Sequence, residues 1–167
     1  LIDAQLLATL LSSGITSAEL YRVPRITVIA TGEELLNGQL PDSNGPMLDA
    51  ILHATGTLDI TRLCCGDDPK ELRETFDSAT QGTTGSDLIV TTGGVSAGAF
   101  DVVRDVFTEH DDRSWFGHVD QRPGAPQGHA LWNEVPVVYL PGNPVAAFVS
   151  AHLYITPLLR TLSGLPR

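Results

Sequence analysis

The 167-residue sequence predicts an α/β fold, a three-layer α/β/α sandwich around a mostly parallel central sheet. Two observations carry that expectation. Short apolar runs such as Ile26 to Ala30 and Asp87 to Thr92 alternate with stretches whose apolar residues recur at helical spacing. Both runs then stop at glycine turns, Thr31-Gly32 and Gly93-Gly94, as buried strands do when they feed crossover helices.

Taken in order, Asp3 to Leu11 has leucines and alanines at helical intervals before Ser12-Ser13-Gly14 stops it, and Tyr21 to Arg25 reads as a connector into the first strand. Asn44 to Thr55 places Met47, Leu48, Ile51 and Leu52 on one helical face, with Asp42, Ser43 or Asn44 to cap it and Gly56 to end it. Leu58 to Cys65 predicts the next strand. Asp67-Asp68-Pro69 then opens a helix through Ala79 with Leu72, Thr75, Phe76 and Ala79 inward. After the third strand, Asp101 stands where an N-cap belongs, ahead of the helical stripe Val102, Val103, Val106 and Phe107. Trp115 to Gln121 and Gly128 to Trp132 read as extended. Val135 to Leu140 is the last strand, and Pro144 to Leu162 a long apolar helix bent at Pro157. The organisation expected is a leading helix and linker over 1–24, followed by one ligand-binding domain over 25–167.

Hydrophobic residues make up 42% and charged residues 18%, which fits a globular domain with its own core, and no apolar run is read as membrane-spanning. No secretory signal is read before Leu1, and the missing initiator suggests a piece of a longer protein. A formal charge of -10 argues against nucleic acid and anionic membrane as partners. A small anion is still admissible, because backbone N–H groups and a metal recruited by carboxylates need no basic surface. Cys64 and Cys65 are adjacent in an apolar strand; they read as core residues, and a reducing, cytoplasmic setting follows.

In a parallel sheet, ligands sit outside the carboxyl ends of the strands, where loops enter helix N-termini. Five loops are placed there: Thr31-Gly32-Glu33-Glu34, Asp42-Ser43-Asn44, Gly66-Asp67-Asp68, Thr91 to Asp101, and Pro141-Gly142-Asn143-Pro144. Gly93, Gly94 and Gly98 allow close backbone approach and Ser96 adds a hydroxyl, so that segment can cradle a phosphate or merely join strand to helix. Asp101, Asp67, Asp68, Asp42 and Asn44 can hold a ligand amide or a cation, or simply cap helices. Glu33 and Glu34 repel each other unless a cation is shared or one faces solvent. His53, His110, His118, His129 and His152 have no partner at metal-ligand spacing, so no zinc site is expected.

Thr31-Gly32-Glu33-Glu34-Leu35, Asp42-Ser43-Asn44, Gly66-Asp67-Asp68-Pro69, Gly93-Gly94-Val95-Ser96-Ala97-Gly98 with Asp101, and Leu140-Pro141-Gly142-Asn143-Pro144-Val145 occur together and in this order. The set resembles the molybdopterin molybdenumtransferase family of molybdenum-cofactor biosynthesis, over nearly the whole chain. The resemblance implies a transferase domain of the molybdopterin-binding type. Such a domain binds molybdopterin or its adenylylated form and supports Mg²⁺-dependent insertion of molybdate, as a dimer or trimer. It implies catalytic roles for Glu34, Asp67, Asp101 and Arg122, and metal binding by Glu34, Asp42 and Asp68. Contacts to the pterin or its phosphate are implied for Thr31, Gly93, Gly94, Ser96, Gly98, Asp101, Pro141, Gly142, Asn143 and Pro144.

The sequence departs from the family at Arg122-Pro123-Gly124-Ala125-Pro126, where the family reads Lys-Pro-Gly-Lys-Pro. Arg122 keeps a cation in a different, forked geometry, and Ala125 removes one. Three alternatives stand beside the transferase: a catalytically impaired pterin-binding or assembly module, supported by Ala125; a molybdopterin adenylyltransferase, which shares the fold and the glycine loop; and a nucleotide-acting domain of the competence-damage-inducible type, which Glu33-Glu34-Leu35-Leu36-Asn37-Gly38-Gln39 resembles.

Overall fold

The computed structural model describes residues 2–82, 85–93, 97–110 and 112–165, with 97–102 described by backbone alone. Six strands form one sheet in the order β2-β1-β3-β6-β5-β4. The four strands β1 (Arg25–Thr31), β2 (Asp59–Cys65), β3 (Leu88–Thr92) and β6 (Val135–Leu140) pair in parallel. The chain then turns back, so that β5 (Pro126–Trp132) runs antiparallel to β6, and β4 (Trp115–His118) antiparallel to β5. The sheet is mixed and mostly parallel, as the strand and helix alternation predicts. Its antiparallel edge comes from the two extended runs, of which the first is shorter than expected and ends at His118.

Successive side chains point to opposite faces of the sheet, and β1 and β3 are buried on both, which gives two cores. On one face Ile29, Ile89 and Val137 meet Leu72 and Phe76 of α4 (Pro69–Thr80) and Val103, Val106 and Phe107 of α5 (Ala97–His110). There Phe76, Phe107 and Trp132 pack with ring centroids 4.7 to 5.5 Å apart. On the other face Ile26, Val28, Leu88 and Val90 meet Leu48 and Leu52 of α3 (Asn44–Ala54) and the C-terminal helix. That helix runs as α6 (Pro144–Ser150), a π-helical turn (Ala151–Ile155) and α7 (Thr156–Leu162). The expected disturbance at Pro157 takes the form of this π turn, because the proline ring removes an N–H and crowds the preceding turn.

Three readings need correction. Cys64 is exposed and only Cys65 is buried, because β2 is a sheet edge and only part of its surface is covered by helices. Pro144–Leu162 is apolar enough and, at 19 residues, long enough to cross a membrane, contrary to the expectation that no run is. The inward residues Ala147, Ala151, Ile155 and Leu159 are buried in the domain, so packing against the sheet accounts for part of that apolar character, while Val145, Phe148 and Leu153 are exposed. Asp101 is not an N-cap: α5 begins at Ala97 and takes Asp101 into its second turn. Leading helix α1 (Ala4–Ser12) is capped by Asp3, whose carboxylate accepts from Leu6 N at 2.8 Å, and none of its residues is buried.

Candidate functional site

The carboxyl ends of β1, β3 and β6 open into a cleft of about 280 Å³ lined by Glu34, Asp42, Asn44, Thr92, Gly93 and Gly142, with Leu35, Leu40, Pro41, Ser43 and Pro144 completing the wall. A larger, shallower hollow at Arg22, Arg25, Leu58 and Asp59 lies at the opposite end of the strands, away from every loop singled out above. The carboxyl-edge cleft is the candidate site, because it gathers glycine turns and carboxylates where strand ends meet helix N-termini.

Local chemistry explains each wall. Gly32, at φ 146°, turns the chain from β1 into the short helix α2 (Glu33–Leu36). Any side chain on Gly32 would meet the Glu34 carboxylate at 2.8 to 2.9 Å, so glycine lets that group fold back. The adjacent glutamates divide their environments: Glu33 is exposed, while Glu34 is half-buried on the cleft wall. Asp42 accepts from Gly45 N at 2.8 Å and so serves the α3 N-terminus while facing the cleft. Asn44 is buried, and its Nδ2 donates to the Gly142 carbonyl at 2.8 Å, tying the start of α3 to the loop after β6. Its Oδ1 is buried without a partner.

Asn143 caps α6, its Oδ1 accepting from Val145 N at 3.0 Å and Ala146 N at 3.1 Å. Pro141 is buried behind it. Thr31 is fully buried and donates its hydroxyl to the Thr92 carbonyl at 3.1 Å, so it braces the sheet beneath the cleft and does not line it. Asp68 caps α4 by accepting from Lys70 N at 2.9 Å and also lies outside the lining.

Asp67 has one carboxylate oxygen buried without a partner. Burial raises its pKa above the ordinary carboxylate value, the nearby Glu34 charge adds to the rise, and a hydrogen bond from the Glu33 backbone opposes it. Tyr139, almost fully buried on β6, has its phenol pushed well above its usual value by burial and then by Asp67. The Cys65 thiol rises to about 12, chiefly through burial. Cys64 rises as well, through burial and then Asp42, Glu71 and Glu34, which makes it a poor nucleophile beside an acidic rim.

The structure thus brings together Glu34, Asp42, Gly93, Gly142 and Pro144, with Asn143 immediately adjacent. Arg122 stands exposed on the loop between β4 and β5. That loop emerges at the same sheet edge because β5 pairs antiparallel with β6, but Arg122 is not part of the cleft lining. Gly94 and Ser96 lie outside the described residues, as does the Asp101 side chain; Gly98 is described only as part of the α5 backbone. Leu35 and Leu40 carried no assigned role in the sequence, since nothing in their spacing separates a cleft wall from a core.

Among the described residues, no three His, Cys, Asp or Glu side chains gather closely enough to cage a metal. Glu34 and Asp42 nevertheless present hard oxygen donors to one cleft. Two carboxylates suit Mg²⁺, which keeps waters and takes further ligands from substrate phosphates.

Fold and cleft together define a three-layer α/β domain with a small cleft at the carboxyl edge of its mostly parallel sheet. A family model described as "Probable molybdopterin binding domain" matches residues 27–161. The chain belongs to that family of molybdenum-cofactor biosynthesis proteins. It is 39% identical over 93% of its length to molybdopterin molybdenumtransferase 2 of Mycobacterium tuberculosis, and 31% identical over 99% to molybdopterin molybdenumtransferase of Nostoc sp.. It spans 41% and 40% of those two proteins. Among solved structures, a molybdopterin biosynthesis MoeA protein from Pyrococcus horikosii superimposes with a TM-score of 0.76 at 26% identity, covering 98% of this chain and 41% of that one.

Proposed function

We propose that the chain binds molybdopterin, or its adenylylated form, in the carboxyl-edge cleft and supports Mg²⁺-dependent molybdate insertion as the central domain of a cytoplasmic molybdenumtransferase. The observation that carries this reading is the meeting of the Gly93 and Gly142 turns with Glu34 and Asp42 in one cleft. Backbone groups at the two turns suit a phosphate, and the carboxylates recruit the cation that offsets its charge. Glu34 and Asp42 hold Mg²⁺ in this proposal, and Asp68 is left to its capping bond. Bound there, Mg²⁺ supplies electrostatic stabilisation of phosphate oxygens. Asp67, its proton affinity raised, accepts or donates a proton beside the cleft, together with Asp101 as the resemblance implies. Arg122 meets the incoming oxyanion. Residues 1–24 act as an arm outside the ligand-binding domain of 25–167, and their exposed Leu6, Leu7 and Leu11 favour assembly into a homo-oligomer.

A second reading, a binding or assembly module without turnover, is favoured by one observation: position 125, a lysine in the family pattern, is an alanine here. Titrating the chain with molybdopterin and with adenylylated molybdopterin, with and without Mg²⁺ and molybdate, decides between them. Mg²⁺-dependent conversion in the presence of molybdate supports the transferase, and tight binding without conversion supports the module. Adenylylation of molybdopterin at the expense of ATP, or failure to bind either pterin, overturns both.

A further inference from the structure

The loop between β4 and β5, residues 119–125, is held by a polar network anchored on two buried side chains, Ser150 and Gln127. Ser150, the last residue of α6, is fully buried, and its Oγ accepts from Gln127 Nε2 at 2.6 Å and from Gln121 Nε2 at 3.0 Å. The same two amides also donate into the loop backbone, Gln121 to the Pro123 carbonyl at 2.9 Å and Gln127 to the Gly124 carbonyl at 2.7 Å. Tyr154, in the π turn, donates its hydroxyl to Gln121 Oε1 at 2.9 Å. At the loop base Val119 N donates to the Ala125 carbonyl at 2.8 Å.

Gly124 sits at φ 101°, and a side chain there would meet Gln121 Nε2 at 2.6 Å and Ser150 Oγ at 3.2 Å, so glycine is what allows the loop to lie this close. A helical serine usually bonds back to its own helix, whereas this one accepts from two amides outside it. The arrangement also leaves Gln127 Oε1 buried without a protein partner. The residue displayed between Gln121 and Pro123 is Arg122.

We propose that Ser150, with Gln121 and Gln127, is a positioning residue that fixes the β4–β5 loop so that Arg122 is presented to a tetrahedral oxyanion at the carboxyl edge of the sheet. This rests on the assignment of Arg122 to the oxyanion made above. Ser150 acts through the loop and touches no substrate. A guanidinium on a loose loop loses its forked geometry to side-chain and backbone entropy, and a fixed loop retains it.

The test is titration of the chain with molybdate and, separately, with inorganic phosphate, alongside amide exchange at Val119. Ser150→Ala is expected to weaken the Arg122-dependent anion about ten-fold, the scale of one charge-assisted hydrogen bond, and to accelerate exchange at Val119. Ser150→Thr, which keeps the hydroxyl, restores both. In an Arg122→Ala background, Ser150→Ala has no further effect on anion binding. Gln121→Ala, made at a half-exposed residue, carries the same expectations where the core substitution does not fold. Arg122-dependent binding that ignores both Ser150→Ala and Gln121→Ala overturns the proposal alone, as does unchanged exchange at Val119. If Arg122→Ala leaves both anions bound at wild-type strength, the Arg122 assignment falls and this proposal with it.

Discussion

Gly93 and Tyr139 are packed so closely that no side chain fits between them: a methyl group on Gly93 would overlap the Tyr139 hydroxyl and lie 2.8 Å from ring carbon Cζ. Tyr139 is only 3% exposed and has no route of escape. Gly93→Ala is therefore expected to cost about 1–3 kcal/mol through overpacking and to weaken pterin binding by shifting the turn. Tyr139→Phe removes the overlapping oxygen and should recover part of both losses in the double variant. Urea melts of the four proteins measure the coupling, and strictly additive losses would show that the contact is not what excludes a side chain.

Asn44 fastens two walls of the cleft through its bond to the Gly142 carbonyl. Asn44→Ala is expected to cost about 1–2 kcal/mol of stability and to lower pterin affinity, because the start of α3 and the loop after β6 are no longer tied. Asn44→Asp should be at least as damaging, since a carboxylate cannot donate to a carbonyl. Pterin titration and urea unfolding of both variants check this; wild-type affinity in Asn44→Asp would remove the tie from the account.

The raised pKa of Asp67 gives a pH signature. A carboxylic acid whose native pKa exceeds its unfolded value lets the folded state bind more protons. Its favourable contribution is complete below the unfolded value of about 4 and is lost as pH rises through the native one. Asp67→Asn keeps an acceptor for the Glu33 backbone and removes the buried charge, so its Tm should exceed the wild-type value at pH 7. The gap should narrow toward pH 4. A gap independent of pH between those limits would contradict the burial argument.

Position 125 offers a gain-of-function test. Ala125 is half-buried beside the loop tip, and its carbonyl is already engaged by Val119. Ala125→Lys restores the family cation without breaking that backbone bond. A charge-assisted hydrogen bond is worth about 1.5–3 kcal/mol, so molybdate should bind roughly ten-fold to a hundred-fold more tightly, with the gain eroding in high salt. Calorimetric titration at two ionic strengths reads both effects; an unchanged affinity would mean that the loop does not face the oxyanion.

Asp87 answers to acid in the opposite sense from Asp67. It accepts from Arg22 Nη1 at 2.6 Å and Nη2 at 2.5 Å and from Arg25 N at 2.8 Å. The Arg22 hydrogen bond holds its pKa below the ordinary value. The stabilisation is present above the unfolded pKa and disappears as pH falls through the native one. Asp87→Asn should lower the Tm at pH 7, and the gap should close as pH falls through the lowered native pKa, which a thermal melt series resolves.

The helices and parallel strands could be read from the chain because their signals are local. Leu48 and Leu52, or Leu72 and Phe76, repeat at the helical period whatever surrounds them, and glycine or proline marks the ends. Caps were only partly legible. Asp68 caps as expected, whereas Asp101 lies inside a helix that starts four residues earlier, at Ala97. Cap and helix-interior aspartates have the same local sequence context, and only the backbone hydrogen bonds separate them.

Sequence alone determined the order of the strands and the longer helices, the glycine turns that end the strands, and the acidic and amide residues those turns carry; the short helix α2 was not read from it. Tertiary structure decided which of these residues meet. Parallel pairing of β1, β3 and β6 sets Gly93 beside Gly142 and brings Glu34, Asp42 and Asn44 to the same cleft, while Thr31 and Asp68 are turned to bracing and capping. It also exposed Cys64 on an edge strand and drew Ser150 and Gln127 into a network beneath Arg122. The physical reason is that backbone propensity acts over a few neighbours, whereas burial and hydrogen-bond partnership depend on strand order, which joins residues far apart in the chain.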